Sequence, residues 1–180
     1  MTMLAHIVID TPLGKTKLVA TDSALVAIVL PGQHKPLDSR EAQGHPLLLR
    51  AARELREYFA GKRRDFTVPI APQGTPFQQR VWSELARIPY GQHRSYGDLA
   101  TSLGKPAAAR AVGRANALNP LAIVLPCHRV IGKDGSLTGF AGGIDKKRWL
   151  LAHEARNPRG LFVGPARSPA RSGSSAPKRP

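Results

Sequence analysis

Cys127 is the single cysteine of the chain, and His128 follows it directly. A thiolate is the nucleophilic form of cysteine, and a neighbouring imidazole either lowers the thiol pKa or takes its proton. The pair lies between an apolar run, residues 121–125, and a glycine-rich stretch, residues 132–143. That context predicts a strand ending at the pair, with a loop beside it. Two readings of the dipeptide stay open: a nucleophile with its base, or a small buried thiol next to a satisfied polar ring. One cysteine excludes an internal disulfide and any zinc site built on paired cysteines. A lone free thiol fits a reducing cytosol better than secretion.

A second group of residues points to a partner. Lys and Arg number 27 against 12 Asp and Glu, a net charge of +15. Residues 156–180 hold six of those bases and no acid, yet the remaining body still carries 21 bases against 12 acids. A basic folded body suits a polyanion, most simply nucleic acid, although charge alone also serves solubility. Within the stretch Pro106-Ala107-Ala108-Ala109-Arg110-Ala111-Val112-Gly113-Arg114, Arg110 and Arg114 stand one helical turn apart on a smooth surface of small residues. A typical recognition helix instead carries long polar side chains for the major groove. The minor groove is about 6 Å wide and a dressed helix about 10–12 Å across, so only an Ala- and Gly-rich helix fits there, with widening. The alternative is that these alanines pack against other helices.

The elements that position these groups follow from pattern. Residues 4–10, 15–21 and 24–30 read as a three-strand meander, with turn residues at Thr11-Pro12-Leu13-Gly14 and Asp22-Ser23. Residues 46–60 read as a helix with Leu48, Ala52, Leu55 and Phe59 on one face and Gly61 as its stop. Residues 66–70 read as a further extended piece. A linker at Ala71-Pro72-Gln73-Gly74 precedes a capping-box start, Thr75-Pro76-Phe77-Gln78. The apolar stripe Phe77, Val81, Leu85 and Ile88 carries that helix to Pro89. Ser95 caps a short helix over 96–103, and a third helix is expected over 106–117, so the two form a helix-turn-helix or an ordinary αα-hairpin. A last helix over 145–154 is expected to be capped by Asp145. Residues 158–180 read as a disordered basic tail. No run approaches the roughly 20 apolar residues of a membrane helix, and the opening lacks the features of a secretory signal. The expected architecture is therefore α/β: a small sheet-plus-helix unit, residues 1–74, and a mostly helical unit, residues 75–157.

These residues resemble a known family. The motifs Thr75-Pro76-Phe77-Gln78-Gln79-Arg80-Val81-Trp82, Ser95-Tyr96-Gly97, Ala109-Arg110-Ala111-Val112-Gly113, Pro126-Cys127-His128-Arg129-Val130 and Trp149-Leu150-Leu151-Ala152-His153-Glu154 are similar, in order and spacing, to those of the O6-alkylguanine-DNA alkyltransferases. The resemblance is dense from Thr75 to Glu154 and looser before it. It implies that Cys127 accepts the alkyl group, with His128 as its water-mediated base and Glu154 orienting His128. It implies that Tyr96 helps rotate the nucleotide out and donates a hydrogen bond to the leaving guanine. Arg110 would fill the vacated stack, and Arg114 and Ala107 would share the DNA-facing surface. Asn119 would brace the turn between the DNA-binding helix and the acceptor. The Cys127 and Val130 carbonyls and the Ala141 amide would grip the base edge. Phe140 stands where some members have tyrosine, which keeps a stacking wall without a hydroxyl. No cysteine stands in the N-terminal half, where some members hold structural zinc, so no metal and no cofactor are expected.

The implied activity is single-turnover repair of O6-alkylguanine in double-stranded DNA, approached through the minor groove by a monomer in the cytoplasm. O4-alkylthymine as a further substrate stays open. Two rivals come from other classes. A lesion sensor like the alkyltransferase-like proteins lacks the acceptor cysteine, which is present here. A cysteine hydrolase using Cys127 and His128 would turn over repeatedly and would not need DNA.

Overall fold

The computed structural model describes residues 3–157; the expected tail, 158–180, lies outside them. Strands β1 (Ala5–Thr11) and β2 (Gly14–Ala20) form an antiparallel hairpin in register from Ala5↔Ala20 to Thr11↔Gly14. Gly14 closes it at φ 106°, where a side chain would be strained, and a Cβ there would also meet Pro31 Cγ at 2.9 Å. β3 (Leu25–Val29) pairs antiparallel with β2, so the three-strand meander forms as expected. A two-residue strand that sequence reading missed, β4 (Arg40–Glu41), adds parallel to β1 and gives the order β3-β2-β1-β4.

Helix α1 (Pro46–Phe59) starts on a proline, whose missing N–H costs nothing in the first turn, and stops at Ala60 and Gly61 (φ 70°). Its buried side chains Leu48, Ala51, Ala52 and Leu55 join the core with the sheet, and Tyr58, also buried, packs against Phe66, Tyr90 and His153. Glu54 on the same helix is buried and accepts from the Thr67 and Val68 amides and the Thr67 hydroxyl. That fixes the extended piece expected over 66–70, which meets β3 only through a Leu25↔Ile70 bridge.

In the second half, α2 (Pro76–Leu85) opens with the expected capping box between Thr75 and Gln78. Ser95 and Asp98 form another before α3 (Tyr96–Ser102). Gly104, at φ 70°, turns the chain toward α4 (Ala109–Ala117). α2, α3 and α4 pack together, and the Trp82 indole donates to the Ala115 carbonyl at 2.9 Å. The parallel pair β5 (Arg94–Ser95) and β6 (Val130–Ile131), also unforeseen, joins the start of α3 to the residues after Cys127. α5 (Ile144–Arg156) ends the described chain.

Three expectations need correction. Residues 121–125 do not form a strand. Asn119 takes the Leu121 amide on Oδ1 (2.9 Å) and gives Nδ2 to the Leu125 carbonyl (2.7 Å), while Leu125 N bonds back to Leu121 O (2.8 Å). The segment therefore curls, with Ile123 at φ 75°, a costly conformation for a β-branched residue. Cys127 and His128 accordingly open a single 3-10 turn, Cys127–Arg129, instead of ending a strand. The helix expected from 106 begins only at Ala109. Pro106–Ala108 is a 3-10 turn closed by an Ala108 N to Lys105 O bond. Finally, Gly143 rather than Asp145 occupies the cap of α5; Asp145 lies in the first turn, exposed and paired with Arg148.

Candidate active site

Two hydrogen-bonded clusters meet at Cys127. The first is organised by Glu154, which α5 delivers 1% exposed into the core. Its Oε1 lies 2.7 Å from His128 Nε2 and accepts from Arg129 Nη2 at 2.9 Å and from the Tyr58 hydroxyl at 2.8 Å. Its Oε2 accepts from Arg129 Nε at 2.9 Å and from the Gly91 amide at 2.9 Å. Burial works against the charge, but the hydrogen bonds and charges of His128 and Arg129 outweigh it and hold the carboxyl well below the usual carboxylate range. An ionised Glu154 only accepts, so His128 must carry its proton on Nε2. The lone pair is then on Nδ1, a buried atom with no hydrogen-bond partner among the described residues. Burial holds His128 below its ordinary 6.5, with Glu154 pulling the other way, so the ring is neutral at pH 7 and free to accept a proton.

Cys127, the neighbour of His128 in sequence, is buried, 4% exposed. Burial pushes its thiol up to about 11, against the opposing Asn119 amide and the charge of Lys147. The resting group is thus a thiol, which needs a base at neutral pH.

The second cluster is built on Lys147, a residue the sequence reading passed over. Its ammonium is buried and donates to the Val130 and Thr138 carbonyls, with the Tyr96 hydroxyl at 3.4 Å. Burial lowers its pKa to about 8, while Cys127 favours the charged form. Tyr96, the first residue of α3, donates to the Thr138 carbonyl at 2.8 Å. Its ring lies against Gly113 of α4, where a Cβ would stand 3.6 Å from it. Lys147 therefore gathers Tyr96, Val130 and the glycine-rich loop on one side of Cys127. Phe140 of that loop is buried and Ala141 exposed. Gly139 (φ 65°) lies so near that a Cβ would stand 2.8 Å from the Tyr96 hydroxyl.

Arg110, Ala111 and Arg114 are exposed on the outer face of α4, and Ala107 is exposed in the turn before it. Val112, Ala115 and Asn116 form the inner face. They are thus apart from the Glu154 cluster and linked to it through Asn116, whose Nδ2 donates to the Cys127 carbonyl at 3.2 Å. Asn119 braces the curled segment as described. Arg129, Tyr58, Asn116 and Lys147 went unnoticed in the sequence. Each is the kind of residue found on any basic or amphipathic surface, and only burial gives it a role. The one available signal was Arg129 inside the Pro-Cys-His-Arg-Val motif.

Residues 76–156 match the DNA-binding domain of 6-O-methylguanine DNA methyltransferases, and residues 4–72 match their ribonuclease-like domain. The chain belongs to the 6-O-methylguanine DNA methyltransferase family. The methylated-DNA–protein-cysteine methyltransferase of Methanosarcina barkeri is 44% identical over 154 residues, covering 84% of this chain and 98% of that protein. The protein of the same name from Mycobacterium bovis is 45% identical over 163 residues, 89% of this chain and 99% of that one. Among solved structures, the Mycobacterium tuberculosis OGT protein in complex with DNA superposes with a TM-score of 0.81 at 44% identity, covering 85% of this chain and 94% of that chain. The Mycobacterium tuberculosis O6-methylguanine methyltransferase gives 0.81 at 41% identity, covering 94% and 97%. The family resemblance read from the motifs thus holds over both halves of the chain.

Proposed function

We propose that the chain repairs O6-alkylguanine in DNA by direct reversal, moving the alkyl group irreversibly onto Cys127. The observation that carries this reading is a sole, buried thiol beside a neutral histidine whose tautomer Glu154 sets at 2.7 Å, in a chain of this family. His128 takes the thiol proton, through an intervening water as the family resemblance implies. The sulfur attacks the alkyl carbon, an S–C bond forms as the O6–C bond breaks, and the electron pair leaves with guanine. Tyr96 supplies the leaving base with a hydrogen bond, turning from the Thr138 carbonyl to do so. A thioether does not hydrolyse, and none of these groups regenerates the thiol, so each chain acts once.

The damaged base must leave the duplex to reach a buried sulfur. In this reading Arg110 enters the vacated stack from the minor groove, while Arg114 and Ala107 share the surface that meets DNA. In this reading the Cys127 and Val130 carbonyls and the Ala141 amide grip the base edge; the Val130 carbonyl accepts from Lys147, and the Cys127 carbonyl, which accepts from Asn116 Nδ2 and the Val130 amide, must share or yield one of those bonds. Phe140 walls the pocket. Residues 75–157 carry binding and transfer, 1–74 support them, and the protein acts as a monomer in the cytoplasm. No described helix is long and apolar enough to cross a membrane. The test is intact-protein mass after incubation with duplex O6-methylguanine DNA. One methyl per chain, saturating there, is expected; no gain overturns the reading, and repeated product release from unmodified protein would point to a hydrolase.

Two further outcomes follow. His128 is depressed below 6.5, so it stays neutral at and above that pH and charges only below it. A charged ring cannot take the thiol proton. Single-turnover transfer should therefore hold level down to pH 6.5 and fall on further acidification; a decline beginning above pH 7 contradicts the assignment of the base. Arg110→Ala should slow transfer from duplex DNA by about five- to thirtyfold, corresponding to about 1–2 kcal/mol of lost support for an extruded base. Single-stranded substrate should suffer less and free O6-benzylguanine hardly at all. Equal losses on duplex and single strands, erased by high salt, would make Arg110 a phosphate contact only.

A further inference from the structure

Tyr58 stands 96 residues from Glu154 in sequence, on the helix of the other half of the chain, yet its hydroxyl donates to Glu154 Oε1 at 2.8 Å. The same oxygen serves His128. Tyr58 is 0% exposed. Its ring is held by Phe66 at 5.7 Å, Tyr90 at 6.0 Å and His153 at 5.3 Å between centroids, and its carbonyl lies 2.9 Å from His153 Nε2. The hydroxyl is thus aimed by packing, and Glu154 is its partner among the described residues. Burial and the neighbouring carboxylate push its pKa far up, so it stays a donor at every working pH. Core packing alone would be served by phenylalanine, which resembles tyrosine in everything but that hydroxyl.

We propose that Tyr58 is a positioning residue for alkyl transfer, which acts through Glu154 to fix that carboxylate and to limit its pull on the His128 proton. This rests on the reading of Cys127, His128 and Glu154 as the transfer site. A carboxylate oxygen that accepts a phenol hydrogen bond has less charge left for the imidazole. His128 is then less basic and remains neutral at physiological pH. The hydroxyl also makes the geometry of the second half depend on α1 of the first. The charged and titratable groups facing this network are Arg129 and Tyr90 beside Glu154, Lys147 and Cys127 near His128, and His153 against the Tyr58 ring.

The test compares Tyr58→Phe with the full native chain by NMR titration of the His128 and His153 imidazoles, and by the pH profile of transfer from free O6-benzylguanine. Loss of the hydroxyl should raise the His128 pKa by about one unit and move the acid limb of the profile up by the same amount. A merely structural Tyr58 would lower the rate evenly across pH and leave the His128 titration where it was; that result overturns the proposal. A chain carrying 3-fluorotyrosine at position 58, a stronger donor of the same shape, should move His128 the opposite way, and it decides the matter even where the phenylalanine variant folds poorly. Failure of native protein to take up the benzyl group would strike the transfer reading instead, whereas the titration tests the Tyr58–Glu154–His128 coupling by itself.

Discussion

Cys127→Ala protein should gain no methyl group from O6-methylguanine DNA at any incubation time, while still binding the lesion within a few-fold of the native protein. The chain has one thiol, so no second sulfur can substitute. Arg110 and Arg114, which the proposed function assigns to DNA, are exposed on the outer face of α4 and do not depend on that side chain. Replacing a buried thiol by a methyl leaves a small cavity, costing about 1 kcal/mol, too little to unfold a domain. Binding and transfer should therefore separate cleanly. The check is intact mass alongside a fluorescence binding titration. Methylated protein from this variant would mean that the acceptor lies elsewhere; loss of binding in step with transfer would mean that Cys127 supports the fold of the site.

Glu154→Gln should damage both stability and rate. The carboxylate is buried and takes hydrogen bonds from His128, Arg129, Tyr58 and Gly91. An amide keeps the shape but loses the charge and turns one acceptor into a donor. Arg129, 5% exposed, is left as a buried cation without its counter-charge, a change worth about 3–5 kcal/mol. For a chain of this size that lowers Tm by roughly 10 °C or more. Transfer should slow by about 10²–10⁴-fold, because glutamine no longer dictates the His128 tautomer. The pH dependence identifies the cause. Glu154 is held below its ordinary 4.5 in the folded chain. Its contribution is thus fully present above that value and is lost as pH falls through the depressed one. The Tm gap between native and variant protein should be widest above pH 4.5 and narrow below it. Native Tm and native rate together would remove Glu154 from the site.

The sequence by itself determined the elements whose signals are local. The capping boxes at Thr75 and Ser95, Pro76 at a helix start, Gly61 as a stop, and the turn residues that separate β1, β2 and β3 each depend on neighbours within a few residues. A sole thiol beside an imidazole is likewise legible in one dimension, and it is the resemblance of its Pro-Cys-His-Arg-Val motif to the alkyltransferases that makes Cys127 the proposed acceptor.

Tertiary structure decided what depends on distant partners. The run 121–125 has the composition of a strand, but Pro120 and Pro126 withhold amides and the Asn119 side chain takes the Leu121 and Leu125 backbone groups, so it curls. β4, β5 and β6 are two residues each, too short to carry a period. Above all, Lys147, Arg129, Tyr58 and Asn116, which sequence reading assigned no role, became parts of the site. Nothing local marks Lys147 or Tyr58. Desolvation alone makes the Lys147 ammonium bind the Val130 and Thr138 carbonyls, and makes Glu154 hold Tyr58, His128 and Arg129 at once, because a buried charge must be satisfied wherever the fold delivers a partner.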